Sequence, residues 1–339
     1  IAVAVSGGVD SLVAAHLLKN QGHKIVGFHF LTGYDSEQRN VASIADQLDI
    51  TLHVIDLAEA FESKVVQYFL NTYMGGQTPN PCLICNPTIK FGLLHDQALR
   101  RGINRLATGH YARIVKDDQH PKRVHLLKGI DKRKDQSYFL AFLTQKQLSR
   151  AVFPLGDFEK ETVRRIAAER GLNPVTKEES QDICFIKDNT YAQFMDRHSQ
   201  VTHTPGDIVD SAGRILGRHK GLHLFTVGQR RGINCPAAEP YYVLRLNPRN
   251  NQLIVGHKQD TLSQECRVEN INWIQSPPSE HLGVYTRVRY RHKAAKSVLT
   301  PISSNKAIIR FDAPQASMAP GQGAVFYIGE ELVGGGTIT

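Results

Sequence analysis

The run Ala2-Val3-Ala4-Val5-Ser6-Gly7-Gly8-Val9-Asp10-Ser11 constrains this chain more than any other stretch. A short apolar segment stops at a serine and two glycines, and a helical pattern follows at once through Leu12, Val13, Leu17 and Leu18. That pattern predicts strand, tight turn and helix. Such a turn is an anion site. Glycine lets the backbone come close to a phosphate, the N–H groups of the turn point at it, and the helix N-terminus adds partial positive charge. No Gly-Lys-Ser/Thr follows, so the turn is not a Walker loop, and the glycines lack the spacing of a dinucleotide fingerprint.

From residue 1 to about 113, predicted strands at 25–30 and 51–55 alternate with helices at 41–48 and 61–73. Alternation of this kind builds a parallel sheet whose ligands sit at the carboxyl ends of the strands. Ser6, Phe30 and Asp56 therefore belong at one edge. A short strand over 106–111 ends there too, in Gly109-His110, and His110 read alone is a satisfied strand-end side chain. In Thr78-Pro79-Asn80-Pro81-Cys82-Leu83-Ile84-Cys85-Asn86, two prolines exclude a helix start before Pro81 and predict an extended loop bearing the Cys-x-x-Cys pair. Residues 117–123 read as a polar hairpin turn. Lys132 to Ser137 read either as a solvated helix start or as phosphate contacts. A helix over 161–170 stops at Gly171, and the polar approach 179–182 leads into Ile183-Cys184-Phe185-Ile186.

From Thr204 the texture changes to short strands cut by Gly and Pro, with basic clusters at 218–220 and 229–231. From about 264 a period of two predicts a small antiparallel barrel, with Arg287, Arg289 and Arg291 on one face and Gly334-Gly335-Gly336 as a turn. The expected fold is thus α/β: a parallel-sheet domain over 1–187, a small mainly-β domain over 203–258 and a β-barrel over 264–339.

Composition sharpens the choice of partner. The 41 Lys and Arg exceed the 32 Asp and Glu, for a net charge of +9 and a pI near 9.3, which favours a polyanion. No run reaches the roughly 18 apolar residues of a membrane span, and the expectation is a soluble, cytoplasmic protein without a membrane partner. Five cysteines are too few for a secreted disulfide framework, so catalytic or metal-binding thiols are the better reading. One Cys-x-x-Cys alone does not close a structural zinc site.

Ser6-Gly7-Gly8-Val9-Asp10-Ser11 is the signature of pyrophosphate-loop enzymes, which split ATP between its α and β phosphates. With Thr78 to Pro81, Cys85-Asn86, Ile89-Lys90-Phe91, Ala107 to Tyr111, Lys134 to Leu140, Ile183 to Ile186, Thr226 to Arg230 and Pro320-Gly321-Gln322 in this order, the chain resembles the bacterial tRNA-specific 2-thiouridylases along nearly its whole length. The resemblance implies an adenine-nucleotide α-hydrolase-like sheet domain followed by two domains that help to hold tRNA. It implies replacement of the 2-oxygen of the wobble uridine by sulfur, with ATP and Mg²⁺ as cofactors and a persulfide-carrying protein or sulfide as sulfur donor. ATP would be held by Ala4, Val5, Ser6, Gly7, Gly8, Val9, Asp10, Ser11, Phe30 and Gly109. Cys85 matches the nucleophile and Cys184 the sulfur carrier; Asn80, Pro81 and Cys82 match the target-base site. His110, Lys134, Asp135, Gln136, Arg289, Tyr290 and Gln322 match tRNA contacts.

This chain departs from the family pattern at Cys82, where Asp is common, at Pro87, where Lys is frequent, and in a short 31–40 segment. A third cysteine opens a second route, in which Cys82, Cys85 and Cys184 hold a [4Fe-4S] cluster with one iron left for a sulfide. Two other readings compete. One is a pyrophosphate-loop synthetase or amidotransferase acting on a small molecule, and the other is a non-enzymatic RNA-binding iron-sulfur protein.

Overall fold

The computed structural model describes residues 1–35, 41–121, 123–175, 183–187, 190–198 and 204–339. The expected polar approach at 179–182, and residues 36–40 of the short segment, lie outside the described residues.

Strands β1 (Ala2–Ala4), β2 (Val26–Leu31), β3 (Leu52–Asp56) and β4 (Leu106–Ala107) are joined, beyond a hairpin of β5 (Ala112–Lys116) and β6 (Val124–Lys128), by β7 (Ala151–Val152). β1 to β4 and β7 form a parallel sheet in the order β3-β2-β1-β4-β7. The chain runs outward from β1 to β2 and β3, then returns to the other side of β1 with β4. The order therefore reverses between β1 and β4, and the connections leaving these strands diverge to leave a crevice at their carboxyl ends. Helix α1 (Val9–Asn20) follows β1 and buries Leu12, Val13, Ala14, Ala15 and Leu18. Helix α2 (Val41–Leu48) has the predicted span. The predicted helix 61–73 is a longer helical run from Ala58 to Met74, with π-helical turns over Glu62–Val66.

The central unit is a four-stranded sheet of β8 (Gly206–Val209), β9 (Ile215–His219), β10 (Tyr242–Asn247) and β11 (Gln252–Gly256). Then come β12 (Leu262–Trp273), β13 (Leu282–Arg287), β14 (Ala295–Ser303), β15 (Lys306–Ala316), β16 (Gly323–Ile328) and β17 (Glu331–Ile338). All their pairings are antiparallel, and β12 pairs with β17 to close a six-stranded barrel. Among the described residues no helix is long and apolar enough to cross a membrane.

Three expectations are corrected. Gly334-Gly335-Gly336 is not a turn but the middle of β17, paired on both sides. A Cβ at Gly336 would lie 2.6 Å from Val268, and one at Gly335 would lie 2.9 Å from the Ala141 side chain, so close packing demands glycine here. The three arginines do not share a strand face, because β13 ends at Arg287. The Cys-x-x-Cys pair sits on a helix, Pro81–Cys85, and not on an extended loop. Proline at the first helical position loses no hydrogen bond there, and its fixed φ favours the start.

The hairpin β5-β6 leaves the parallel sheet and pairs with β17 of the barrel through Leu126 and Leu127. A single apolar core consequently runs through both, from Phe28, Phe69 and Leu83 to Tyr138, Val325, Tyr327 and Leu332. The barrel is a wall of the parallel-sheet domain.

Candidate active site

At the crevice, the N–H of Val5 donates to Phe28 O and carries the β1 pairing one residue further before the chain turns. Gly7 has φ +82°, and a Cβ there would lie 2.2 Å from Val175 Cγ2, so conformation and space both exclude a side chain. Gly8 caps α1. The buried Ser11 hydroxyl donates to Gly8 O at 2.9 Å and accepts the Ser6 N–H at 3.2 Å, bracing the loop from inside. Gly109, just beyond β4, lies against Asp10, where a Cβ would come within 2.9 Å of the Asp10 carbonyl carbon. Strand-end loops far apart in sequence meet because the sheet order reverses between them. Phe30 ends half-buried near the end of β2, and His29 beside it is buried with Nδ1 2.8 Å from Val5 O.

Asp10 is held from two sides. The Tyr111 hydroxyl donates to its Oδ1 at 2.7 Å, and Lys160 Nζ approaches both carboxylate oxygens at 2.7 and 2.8 Å. Lys160 is 4% exposed and opens the helix Lys160–Glu169, where the helix dipole disfavours a cation. Sequence reasoning missed it. A lysine at the first position of an otherwise ordinary amphipathic helix was the signal available.

Cys82, Cys85 and Cys184 come within electrostatic reach of one another, although Cys184 is distant in sequence. Burial pushes the Cys82 thiol up to about 11, with Cys184 adding to the shift and Lys90 opposing it. Burial likewise pushes Cys85 up to about 12, against the pull of Lys90. Cys184 is the exposed member. Helix Pro81–Cys85 continues into π-helical turns over Asn86–Leu94, which bring Lys90 within electrostatic reach of both thiols and His110. Lys90 is a second residue whose place the pattern alone did not reveal. Among the described residues, no three His, Cys, Asp or Glu side chains are placed to hold a metal ion. The three thiols are soft donors, the kind an iron-sulfur cluster takes.

The residues expected to touch tRNA divide into two groups. Arg289 and Tyr290 lie half-buried at the barrel rim, where Arg289 Nη2 donates to Ser317 O at 3.2 Å and Tyr290 packs on Phe139 at 4.3 Å between centroids. Burial raises the Tyr290 pKa, and Cys82 is the smallest of the neighbours that add to the effect, so the two side chains lie within electrostatic reach. Lys134 is half-buried nearby in the turn after Asp131. The others face inward. Asp135, 3% exposed, accepts the N–H groups of Gly129 and Ser137 and pairs with Arg287 at 3.2 Å. Gln136 accepts the Tyr111 N–H through its Oε1. His110 is buried beside Thr108 Oγ1 at 2.7 Å, and burial, then Lys90, holds its pKa well below the ordinary value. Gln322, 7% exposed, donates to Thr78 O and Pro79 O. Asn80 and Pro81 sit directly above the thiols as N-cap and first helical residue.

The family model described as tRNA methyl transferase HUP domain matches residues 1–188. Those described as tRNA methyl transferase PRC-barrel domain and aminomethyltransferase beta-barrel domain match 192–257 and 263–338. A protein of Desulfosudis oleivorans named tRNA-specific 2-thiouridylase MnmA is 48% identical over 340 residues, covering 100% of this chain and 94% of its own length. The chain belongs to the tRNA-specific 2-thiouridylase family. Relatives of the same name from Syntrophotalea carbinolica and Rippkaea orientalis are 45% and 42% identical, each covering 100% of this chain and 98% and 99% of their own lengths. Full-length agreement means that the family's order of sheet domain, central domain and barrel is this chain's order. The 2-thiouridylase family thus supplies a frame for both the crevice between β1 and β4 and the thiol group beside it.

Proposed function

We propose that this chain is a cytoplasmic, ATP-dependent tRNA-uridine 2-sulfurtransferase. The observation that carries the reading is the meeting of a pyrophosphate loop with three thiols from distant parts of one chain, beside a basic barrel rim. A small-molecule synthetase leaves the thiols and the rim without a role. An RNA-binding iron-sulfur protein leaves the braced loop without one.

In this reading Ala4 to Ser11, Phe30 and Gly109 hold ATP, with backbone N–H groups of the loop and the α1 N-terminus facing the phosphates. Asp10, a carboxylate of the loop itself, would share Mg²⁺ with the phosphates, and the ion when bound relieves their charge. The uracil 2-oxygen attacks the α-phosphorus, the bond to the β-phosphate oxygen breaks and pyrophosphate leaves. The oxygen is now part of a good leaving group. A sulfur nucleophile attacks C2 and AMP departs with the oxygen.

Two sulfur carriers are supported by different observations. Donor chemistry alone favours a cluster: Cys82, Cys85 and Cys184 are soft ligands of the kind a [4Fe-4S] group would take as a source of sulfide, but as they stand the three thiols are not placed to hold a metal ion. The exposure of Cys184 supports a persulfide loaded there by a donor protein. Its terminal sulfur attacks C2, and Cys85 then attacks Cys184 Sγ, releasing 2-thiouridine and leaving a disulfide. Lys134, Arg289 and Tyr290 contact tRNA, while His110, Asp135 and Gln136 support the site from within.

Mass spectrometry of wobble nucleosides after incubating tRNA with the protein, ATP and a sulfur source tests the proposal. The expected product is 2-thiouridine, with AMP and pyrophosphate formed only when tRNA is present. AMP formation independent of tRNA would overturn it.

A further inference from the structure

Lys160 is enclosed at the first position of its helix, beside the first turn of α1, whose second residue is Asp10. Its backbone N–H donates to Asp131 Oδ2 at 3.0 Å, which fixes the helix start, and its Nζ lies 5.9 Å from the centre of the buried Tyr111 ring. An ammonium buried at the positive ends of two helices is unfavourable unless a negative partner faces it. Asp10 is that partner in the free chain, through both of its oxygens. The pairing fills the carboxylate. Of the roughly four lone-pair positions that a carboxylate offers, two face Lys160 Nζ and a third accepts the Tyr111 hydroxyl. A divalent ion approaching Asp10 therefore meets one open position and a positive charge already within 2.8 Å of both oxygens. Among the described residues no three His, Cys, Asp or Glu side chains are placed to hold a metal ion, so an ion at Asp10 depends on phosphate oxygens for its other ligands.

We propose that Lys160 is the cation that receives the leaving pyrophosphate: in the free chain its ammonium rests on Asp10, and when ATP arrives with its metal ion the ammonium turns from the carboxylate to the phosphate being released. The charges require such an exchange. Once a divalent ion takes Asp10, the enclosed ammonium loses its negative partner there and needs another anion, which the phosphates held by the loop supply. As the bond from the α-phosphorus to the bridging oxygen breaks, its electron pair stays on that oxygen, and a cation placed beforehand neutralises the added charge. Lysine suits the task because its charge sits on a flexible four-carbon stem. The inference rests on the assignment of the loop to ATP and is independent of how sulfur is carried.

The test uses the full chain without tRNA or a sulfur source, and calorimetry with Mg²⁺ and either inorganic pyrophosphate or AMP. Lys160→Met and Lys160→Gln should each bind pyrophosphate about tenfold more weakly than the wild type, and AMP within about twofold of it, because a charge-assisted contact to one product is lost and none to the other. A double-mutant cycle separates contact from support. In an Asp10→Asn background, where the ammonium has no carboxylate to steady, Lys160→Met should still weaken pyrophosphate binding about tenfold. A lysine that only steadied Asp10 would have no effect in that background, or would weaken AMP equally, and either result overturns the proposal; so does an unchanged pyrophosphate affinity in a folded single variant. If Lys160→Met fails to fold, Lys160→Gln decides in both backgrounds. A wild type that binds neither ATP nor pyrophosphate removes the loop's assignment together with the inference, whereas a wild type that binds both, with variants that match it, removes the inference alone.

Discussion

Lys160 and Asp10, separated by 150 positions, form a pair in which the ammonium lies within 2.8 Å of both carboxylate oxygens. The lysine is enclosed and the aspartate is one-third exposed, so forming the pair desolvates mainly one ion. Lys160→Met should leave Asp10 held by the Tyr111 hydroxyl alone. We expect adenylation, read as tRNA-dependent pyrophosphate release, to fall at least about a hundredfold in Asp10→Ala and about tenfold in Lys160→Met, with tRNA affinity retained. Ser6→Ala should fall in the same direction, since its hydroxyl faces Ser11 in the brace. Pyrophosphate release at the wild-type rate from Asp10→Ala would contradict the loop's assignment.

The barrel rim should behave as a phosphate-binding surface. Charge reversal at Arg289 or Lys134 is expected to weaken tRNA binding about tenfold at low salt and to flatten the dependence of log affinity on log salt by about one unit for each phosphate no longer neutralised. ATP affinity should not move. Filter binding across a salt series checks this, and an unchanged slope would remove both residues from the interface.

Cys82 separates the two sulfur carriers. If a cluster is used, anaerobic reconstitution should give about four irons and four sulfides per chain, and Cys82→Ser should lose both cluster and activity. If the carrier is a persulfide on Cys184, Cys82→Ser should thiolate tRNA at close to the wild-type rate without iron. Iron and sulfide analysis beside a thiolation assay distinguishes the outcomes.

His110 carries a pH signature. Its folded pKa is depressed, by burial first and by Lys90 second, so the folded chain refuses a proton that the unfolded chain accepts below the ordinary histidine value. Its contribution to stability is complete above about pH 6.5 and declines as pH falls, by at most about 1.4 kcal/mol per unit. Urea unfolding at pH 7.5 and 5.5 should therefore show a smaller acid loss for His110→Gln than for the wild type. An equal loss in both would show that another group titrates.

The sequence by itself determined the parts that depend on near neighbours. Val5 to Ser11 encode strand, turn and helix because apolar periodicity and glycine act within a few residues, and Gly171 ends its helix with φ +63° for the same local reason. The resemblance extended this to the order of domains. What only the tertiary structure decided depends on which strands become neighbours. Lys160 reaches Asp10 because the helix that follows the edge strand β7 packs against α1, whose first turn carries Asp10. Gly334 to Gly336 read as a turn in isolation, yet two flanking strands and Ala141 leave no room for anything but glycine in a strand. Asp135, Gln136 and Gln322 look like surface polar residues by type; the hairpin β5-β6 joins the barrel sheet, draws the two domains into one core, and turns those side chains inward onto backbone groups that would otherwise be buried without partners.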